Sequence, residues 1–156
     1  MSAAIDTIAP ATRPCQQRPP LDAAFTPRSV ALIGATDRPA SVGLTLAQNL
    51  CHAAFTGVVH LVNPTRATVL GRTTWPSIEA VPSAVDLAVI ATPAATVPDI
   101  VGQCACSGVR AAVILSAGFG ECGDEGVALA KRVLDSRGHM RLIARTASAW
   151  PCHQSA

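Results

Sequence analysis

Ser29-Val30-Ala31-Leu32-Ile33-Gly34-Ala35-Thr36-Asp37-Arg38-Pro39-Ala40-Ser41-Val42-Gly43 is the stretch that decides the fold. It reads as a strand buried on both faces, a glycine-bounded loop, and the opening of a helix. In parallel α/β sheets this junction sets backbone N–H groups and a helix N-terminus at the carboxyl edge, where phosphates bind. The loop departs from the dinucleotide fingerprint G-x-G-x-x-G, because Thr36 stands two positions after Gly34 and the next glycine is Gly43. A longer turn carrying Asp37 and Arg38 points to a phosphate-bearing ligand other than an ordinary nicotinamide cofactor.

Outward from this junction, strand and helix signals alternate. Apolar runs predict strands over residues 30–33, 58–62, 87–91, 112–115 and 140–143. Apolar spacing predicts helices over 43–53, about 95–106 and 126–136, the last closed by Gly138 as a C-terminal cap. Pro98 is tolerated because it falls in a first helical turn, Asn63-Pro64 marks a turn after the second strand, and residues 77–80 form a short helical turn. Repeated βα units with short loops predict an α/β fold: a Rossmann-like, doubly wound parallel sheet of about five strands in a single domain.

Composition agrees with that architecture. Of the 156 residues 49% are hydrophobic but only 3% aromatic, and Tyr is absent. Small and β-branched side chains suit a sheet covered closely on both faces by helices. The net charge of +2, with no basic run, argues against a nucleic-acid or anionic-membrane partner. The apolar run at 87–97 is broken by Thr92 and Pro93, so no membrane span is expected. Residues 1–20, rich in Pro and Ala and with no signal-peptide core, read as a disordered leader. Cys15, Cys51, Cys104, Cys106, Cys122 and Cys152 then imply free thiols in a reducing, cytoplasmic setting. Cys104 and Cys106 read as small buried residues. His52, His60, His139 and His153 share no ligand spacing, and no metal site is expected.

Ligands of such sheets lie beyond the carboxyl ends of the strands. Four segments fall there: 34–43, 63–66, 92–94 and 116–121. Their small residues admit close backbone approach, and their hydroxyls and N–H groups can meet phosphate oxygens. Asn63-Pro64-Thr65-Arg66 lacks the acid that holds an NAD ribose and offers a cation instead, which suits a ribose phosphate, as in NADP or coenzyme A. Arg66 as a plain solvated loop cation is the competing reading. In Ser116-Ala117-Gly118-Phe119-Gly120-Glu121 the glycines also suit a turn of positive φ, and Glu121 also suits a helix start. No catalytic constellation is visible in the spacing.

Together these words closely resemble the N-terminal CoA-binding domain of NDP-forming acyl-CoA (acetate–CoA) synthetases, found also in bacterial protein acetyltransferases and in the succinyl-CoA synthetase α chain. The matching words are Phe25-Thr26-Pro27-Arg28 running into Ser29 to Ala35, Arg38 to Gly43, Val62-Asn63-Pro64, Val85-Asp86 running to Ala94, and Ser116 to Glu121. The resemblance covers residues 21–143 as one CoA-binding domain. It implies coenzyme A or an acyl-CoA as ligand, with Gly34, Ala35, Thr36, Asp37, Arg38, Ser41, Val42 and Gly43 at its phosphates. Asn63, Thr65 and Arg66 would flank the nucleotide end. Thr92, Pro93, Ala94, Ser116, Ala117 and Gly118 would line the pantetheine path. Where the family often has Lys after Asn-Pro, this chain has Thr65, with Arg66 next. Replacing Gly43 by Val is expected to weaken binding more than folding. The family's phosphohistidine, ATP-grasp and acetyltransferase modules match nothing in this chain. By resemblance it is a non-catalytic piece of a ligase or acetyltransferase, completed by another chain or domain. An NADP-binding domain and a non-binding remnant are the alternatives.

The C-terminal segment carries a further signal. After the fifth strand the family reads Gly-Pro-Asn-Cys-Leu-Gly, often then Met or Leu, whereas this chain reads Ala144-Arg145-Thr146-Ala147-Ser148-Ala149-Trp150. In GC-rich codons the family loop is GGC CCG AAC TGC CTC GGC ATG G. Deleting its first base gives GCC CGA ACT GCC TCG GCA TGG, which encodes Ala144 to Trp150. Residues 144–156 are therefore expected to be an unstructured, out-of-frame tail left by a single-base frameshift that truncated a longer protein.

Overall fold

The computed structural model describes residues 20–52, 55–116 and 123–144. Its centre is β1 (Ser29–Ile33), buried at every position. This strand pairs in parallel with β2 (Val58–Val62) on one side and with β5 (Leu87–Ile90) on the other. Beyond β5 lie β6 (Ala111–Ile114) and the edge strand β7 (Arg141–Ala144), both parallel. Beyond β2 lie β4 (Arg72–Trp75) and β3 (Thr68–Val69), giving the order β3-β4-β2-β1-β5-β6-β7.

The sheet thus has seven strands rather than about five. The additional pair is a small hairpin whose Leu70 and Gly71 both take positive φ, 52° and 73°, the pattern of a tight two-residue turn between antiparallel strands. Its polar Arg72-Thr73-Thr74 run gave no apolar signal, and it forms because β4 pairs with the end of β2 through Leu61↔Thr74 and Val62↔Trp75.

Alternate side chains of the strands feed two separate cores, as the period-2 pleat requires. On one face Ala31, Ile33, Ala88, Ile90, Ala112 and Ile114 meet α3 (Val97–Cys106) and α4 (Gly123–Ser136). On the other, Val30, Leu32, Leu87, Val89 and Ala111 pack with Ala23 of α1 (Pro20–Phe25) and Ala47 of α2 (Val42–His52). α1 begins at Pro20, the last residue of the expected leader, and β7 ends at Ala144, the first residue of the expected tail. The other residues assigned to those two segments lie outside the described residues.

From β2 the chain goes outward to β3 and β4, then crosses to the far side of β1 to form β5. The switch point lies between β1 and β5, so their carboxyl ends frame the crevice where such sheets take ligands.

The amino edge is tied just as firmly. Asp86 accepts from the Arg28 N–H at 2.9 Å, and its own N–H donates to Ser29 Oγ at 3.0 Å. Ser29 Oγ in turn donates to the Ala84 carbonyl at 2.8 Å. Arg28, Ser29 and Asp86 therefore lock β1 to β5 at the edge opposite the crevice.

Candidate functional site

At the end of β1 the backbone turns through Gly34 at φ 93°. A Cβ there would lie 2.5 Å from the Ala91 carbonyl oxygen, so glycine lets the loops after β1 and β5 touch backbone to backbone. A Cβ on buried Gly43 would fall far inside van der Waals distance of the Gly34 carbonyl oxygen. Gly43 therefore seats α2 directly on the loop, and its role is packing at least as much as room for a ligand.

Ser41 caps α2. Its hydroxyl accepts from the Leu44 N–H at 3.2 Å and donates to the Arg38 carbonyl at 2.7 Å. Thr36 Oγ1 accepts from the Arg38 N–H at 3.2 Å, and Ala40 completes the turn at φ 58°. Both hydroxyls thus shape the loop, which presents the positive end of the α2 dipole at the crevice. Arg38 and Val42 are exposed beside it. Among the described residues, no ion pair engages the Arg38 guanidinium.

The loop after β2 is bound to this one through Asn63. Its Nδ2 donates to the Ala35 carbonyl at 2.7 Å. Its Oδ1 accepts from the Thr65 N–H at 2.8 Å, the Thr65 hydroxyl at 2.9 Å and the Arg66 N–H at 3.1 Å. The side chains of Asn63 and Thr65 are committed to holding the two loops together. Arg66 is ion-paired with Asp37, each side chain 44% exposed. The cation expected to await a ribose phosphate already holds a carboxylate.

The loop after β5 brings Thr92, Pro93 and Ala94 to the same edge. Ala94 opens a short 3-10 turn (Ala94–Thr96) that leads into α3, and the Thr96 hydroxyl donates toward Thr92 Oγ1 and the Pro93 carbonyl. Past the end of β6, Ser116 is buried and its Oγ has no hydrogen-bond partner among the described residues. A buried hydroxyl in that state costs about 1–3 kcal/mol unless a ligand or solvent atom meets it. Ala117, Gly118 and Glu121 lie outside the described residues. The structure thus gathers residues 34–43, 63–66, 92–94 and Ser116 at one carboxyl edge. Spacing could not show the Asp37–Arg66 pairing or the Asn63 bridge, because each depends on contacts between separate loops.

Among the described residues, no group of His, Cys, Asp or Glu is arranged to hold a metal. Buried His60 on β2 contacts the Ser83 hydroxyl at 2.9 Å through Nε2, and burial lowers its pKa. Cys104 is fully buried, its thiol pushed up to about 12 by desolvation. Cys106, expected to be buried with it, is exposed. It stands two positions further round α3, and so on a different face. No helix of the described residues is long and apolar enough to cross a membrane.

A doubly wound sheet with a helix N-terminus and two glycine contacts at its switch point defines an α/β ligand-binding domain of the nucleotide-binding kind. The chain belongs to the CoA binding domain family, whose model matches residues 28–146. It is 40% identical over 117 residues to acetate–CoA ligase [ADP-forming] II of Archaeoglobus fulgidus, covering 75% of this chain and 17% of that protein. It is 35% identical over 120 residues to the α subunit of acetate–CoA ligase [ADP-forming] I of Pyrococcus furiosus, covering 74% of this chain and 26% of the subunit. Among solved structures, PH0766 from Pyrococcus horikoshii OT3 superposes with a TM-score of 0.74 at 36% identity, over 79% of this chain and 29% of that one. The chain therefore spans about a quarter or less of the length of the curated relatives it matches.

Proposed function

We propose that this chain binds coenzyme A across the carboxyl edge between β1 and β5. The pyrophosphate would lie against the 34–43 loop and the α2 N-terminus, the ribose phosphate near Arg66, and the pantetheine along 92–94 and 116–118. The single observation that carries this reading is the buried Ser116 hydroxyl at that edge, without a hydrogen-bond partner among the described residues, in a chain of the CoA-binding family. Calorimetry with CoA, dephospho-CoA, NADP and ATP tests it. Binding of CoA in preference to NADP and ATP is expected, and NADP binding with no response to CoA would overturn the proposal. Arg66→Ala should weaken CoA more than dephospho-CoA, since only CoA carries the ribose phosphate.

The relatives support a larger setting. In this reading the chain is the CoA-binding part of an ADP-forming acyl-CoA synthetase, or of a protein acetyltransferase built on the same domain. It acts in the cytoplasm and is not catalytic by itself. A further domain or separate chain would supply the phosphohistidine and ATP-grasp functions; that one relative is named an α subunit supports a partner chain. The codon reading of residues 144–150 favours a frameshifted tail after the domain. Resequencing tests this: the shifted frame downstream should continue into a second ligase domain, and a frame without one sinks the idea.

A further inference from the structure

We propose that Asp37 is a built-in competitor for the ligand's ribose phosphate, setting how tightly this chain holds a 3′-phosphorylated nucleotide. The inference rests on the CoA reading above and goes beyond it. Asp37 sits on the loop after β1 and Arg66 on the loop after β2, and their ion pair spans the mouth between them. Both side chains are partly open to solvent, so an incoming anion can reach the guanidinium.

The pair is not what fixes the loops. Asn63 joins them independently, reaching Ala35 on one side and the N–H groups of Thr65 and Arg66 on the other. The Arg66 carbonyl is held in addition by the Thr74 hydroxyl. With the Arg66 main chain anchored at both N–H and C=O, the carboxylate of Asp37 acts on the charge of the side chain rather than on the position of the loop.

A phosphomonoester carries about −1.5 to −2 charge and three strong acceptor oxygens, against one charge on a carboxylate. It can therefore take the Arg66 fork from Asp37, leaving that carboxylate beside a phosphate that repels it. Each of these effects subtracts more from affinity for a ligand bearing that phosphate than from affinity for one without it. Arg66 is also kept neutralised in the free chain, which lowers its attraction for stray anions.

The test is binding of CoA and dephospho-CoA to the full 156-residue chain at low ionic strength, where exposed charges are least screened. The variants are Asp37→Asn, Arg66→Ala and the double substitution. Asp37→Asn should tighten CoA by about two- to fivefold relative to dephospho-CoA, the scale of an exposed ion pair. In the Arg66→Ala background, Asp37→Asn should tighten CoA by less, because only the repulsion between carboxylate and phosphate is then relieved. Asp37→Ser is the second variant, expected to behave like Asp37→Asn, and thermal unfolding checks that each variant is folded. Equal weakening of both ligands by Asp37→Asn would make the pair a structural strap and overturn the proposal. So would an unchanged CoA affinity in a chain whose wild type still prefers CoA through Arg66. A wild type that binds neither ligand would instead overturn the CoA reading itself.

Discussion

Gly43 shows how one missing side chain couples folding to the site. Because a Cβ there would run into the Gly34 carbonyl, Gly43→Ala should push α2 off the loop and cost about 1–3 kcal/mol, the usual range for overpacking. Urea unfolding of the variant measures it, and an unchanged midpoint would show that the helix yields freely. The expectation that a bulky residue harms binding more than folding is thereby revised to harm on both counts. The cysteines divide at the same scale. With its thiol pushed up to about 12, Cys104 is protonated and buried at neutral pH, whereas Cys106 is exposed. A thiol reagent applied to the native chain should label Cys106 and spare Cys104 until denaturant is added. Peptide mass spectrometry reads the outcome.

At the scale of elements, the Asn63 side chain bridges the loops after β1 and β2. Asn63→Ala would release the Ala35 carbonyl and two N–H groups of the next loop in one step. The expected cost is about 1–3 kcal/mol of stability. CoA and dephospho-CoA should both weaken, because both loops would lose their registration. A selective loss of CoA alone would instead place Asn63 at the ribose phosphate. Within the sheet, Ala31, Ala88 and Ala112 stand side by side across three parallel strands on the face that meets α3 and α4. This row sets how near those helices come. Ala88→Leu should cost about 1–3 kcal/mol by overpacking, read from the shift in its urea midpoint. An equally large effect at exposed Ile143 of the edge strand would contradict that assignment.

For the molecule as a whole, His60 links stability to pH. It is buried against Ser83, and burial lowers its folded pKa below the ordinary 6.5. The unfolded chain therefore binds this proton more readily than the folded one. The contribution is present in full above about pH 6.5 and is lost as pH falls from there through the lowered folded value. Urea midpoints taken from about pH 7.5 to about pH 5 should fall more in the wild type than in His60→Asn. Parallel profiles would remove His60 from the account.

The sequence by itself determined the central sheet and the edge at which to look. The apolar runs at 30–33, 58–62, 87–91 and 112–115 became the core strands within a residue or so. This follows because strands buried on both faces must be continuously apolar. The segments after them were readable as site candidates for a related reason: chain direction in a parallel sheet dictates which end carries the loops. The β3–β4 hairpin was not readable, because its polar residues become strands only by pairing with β2. The helix α1 was hidden in a short segment whose Ala23 acquires a reason to be helical only against the sheet. Site roles divide in the same way. A residue type and its place after a strand nominated Asn63, Arg66 and Ser116. Tertiary structure then assigned Asn63 to a bridge, paired Arg66 with Asp37 and left the Ser116 hydroxyl without a partner among the described residues. Hydrogen bonds and ion pairs between separate loops have no periodicity along the chain, and only the fold brings their partners together.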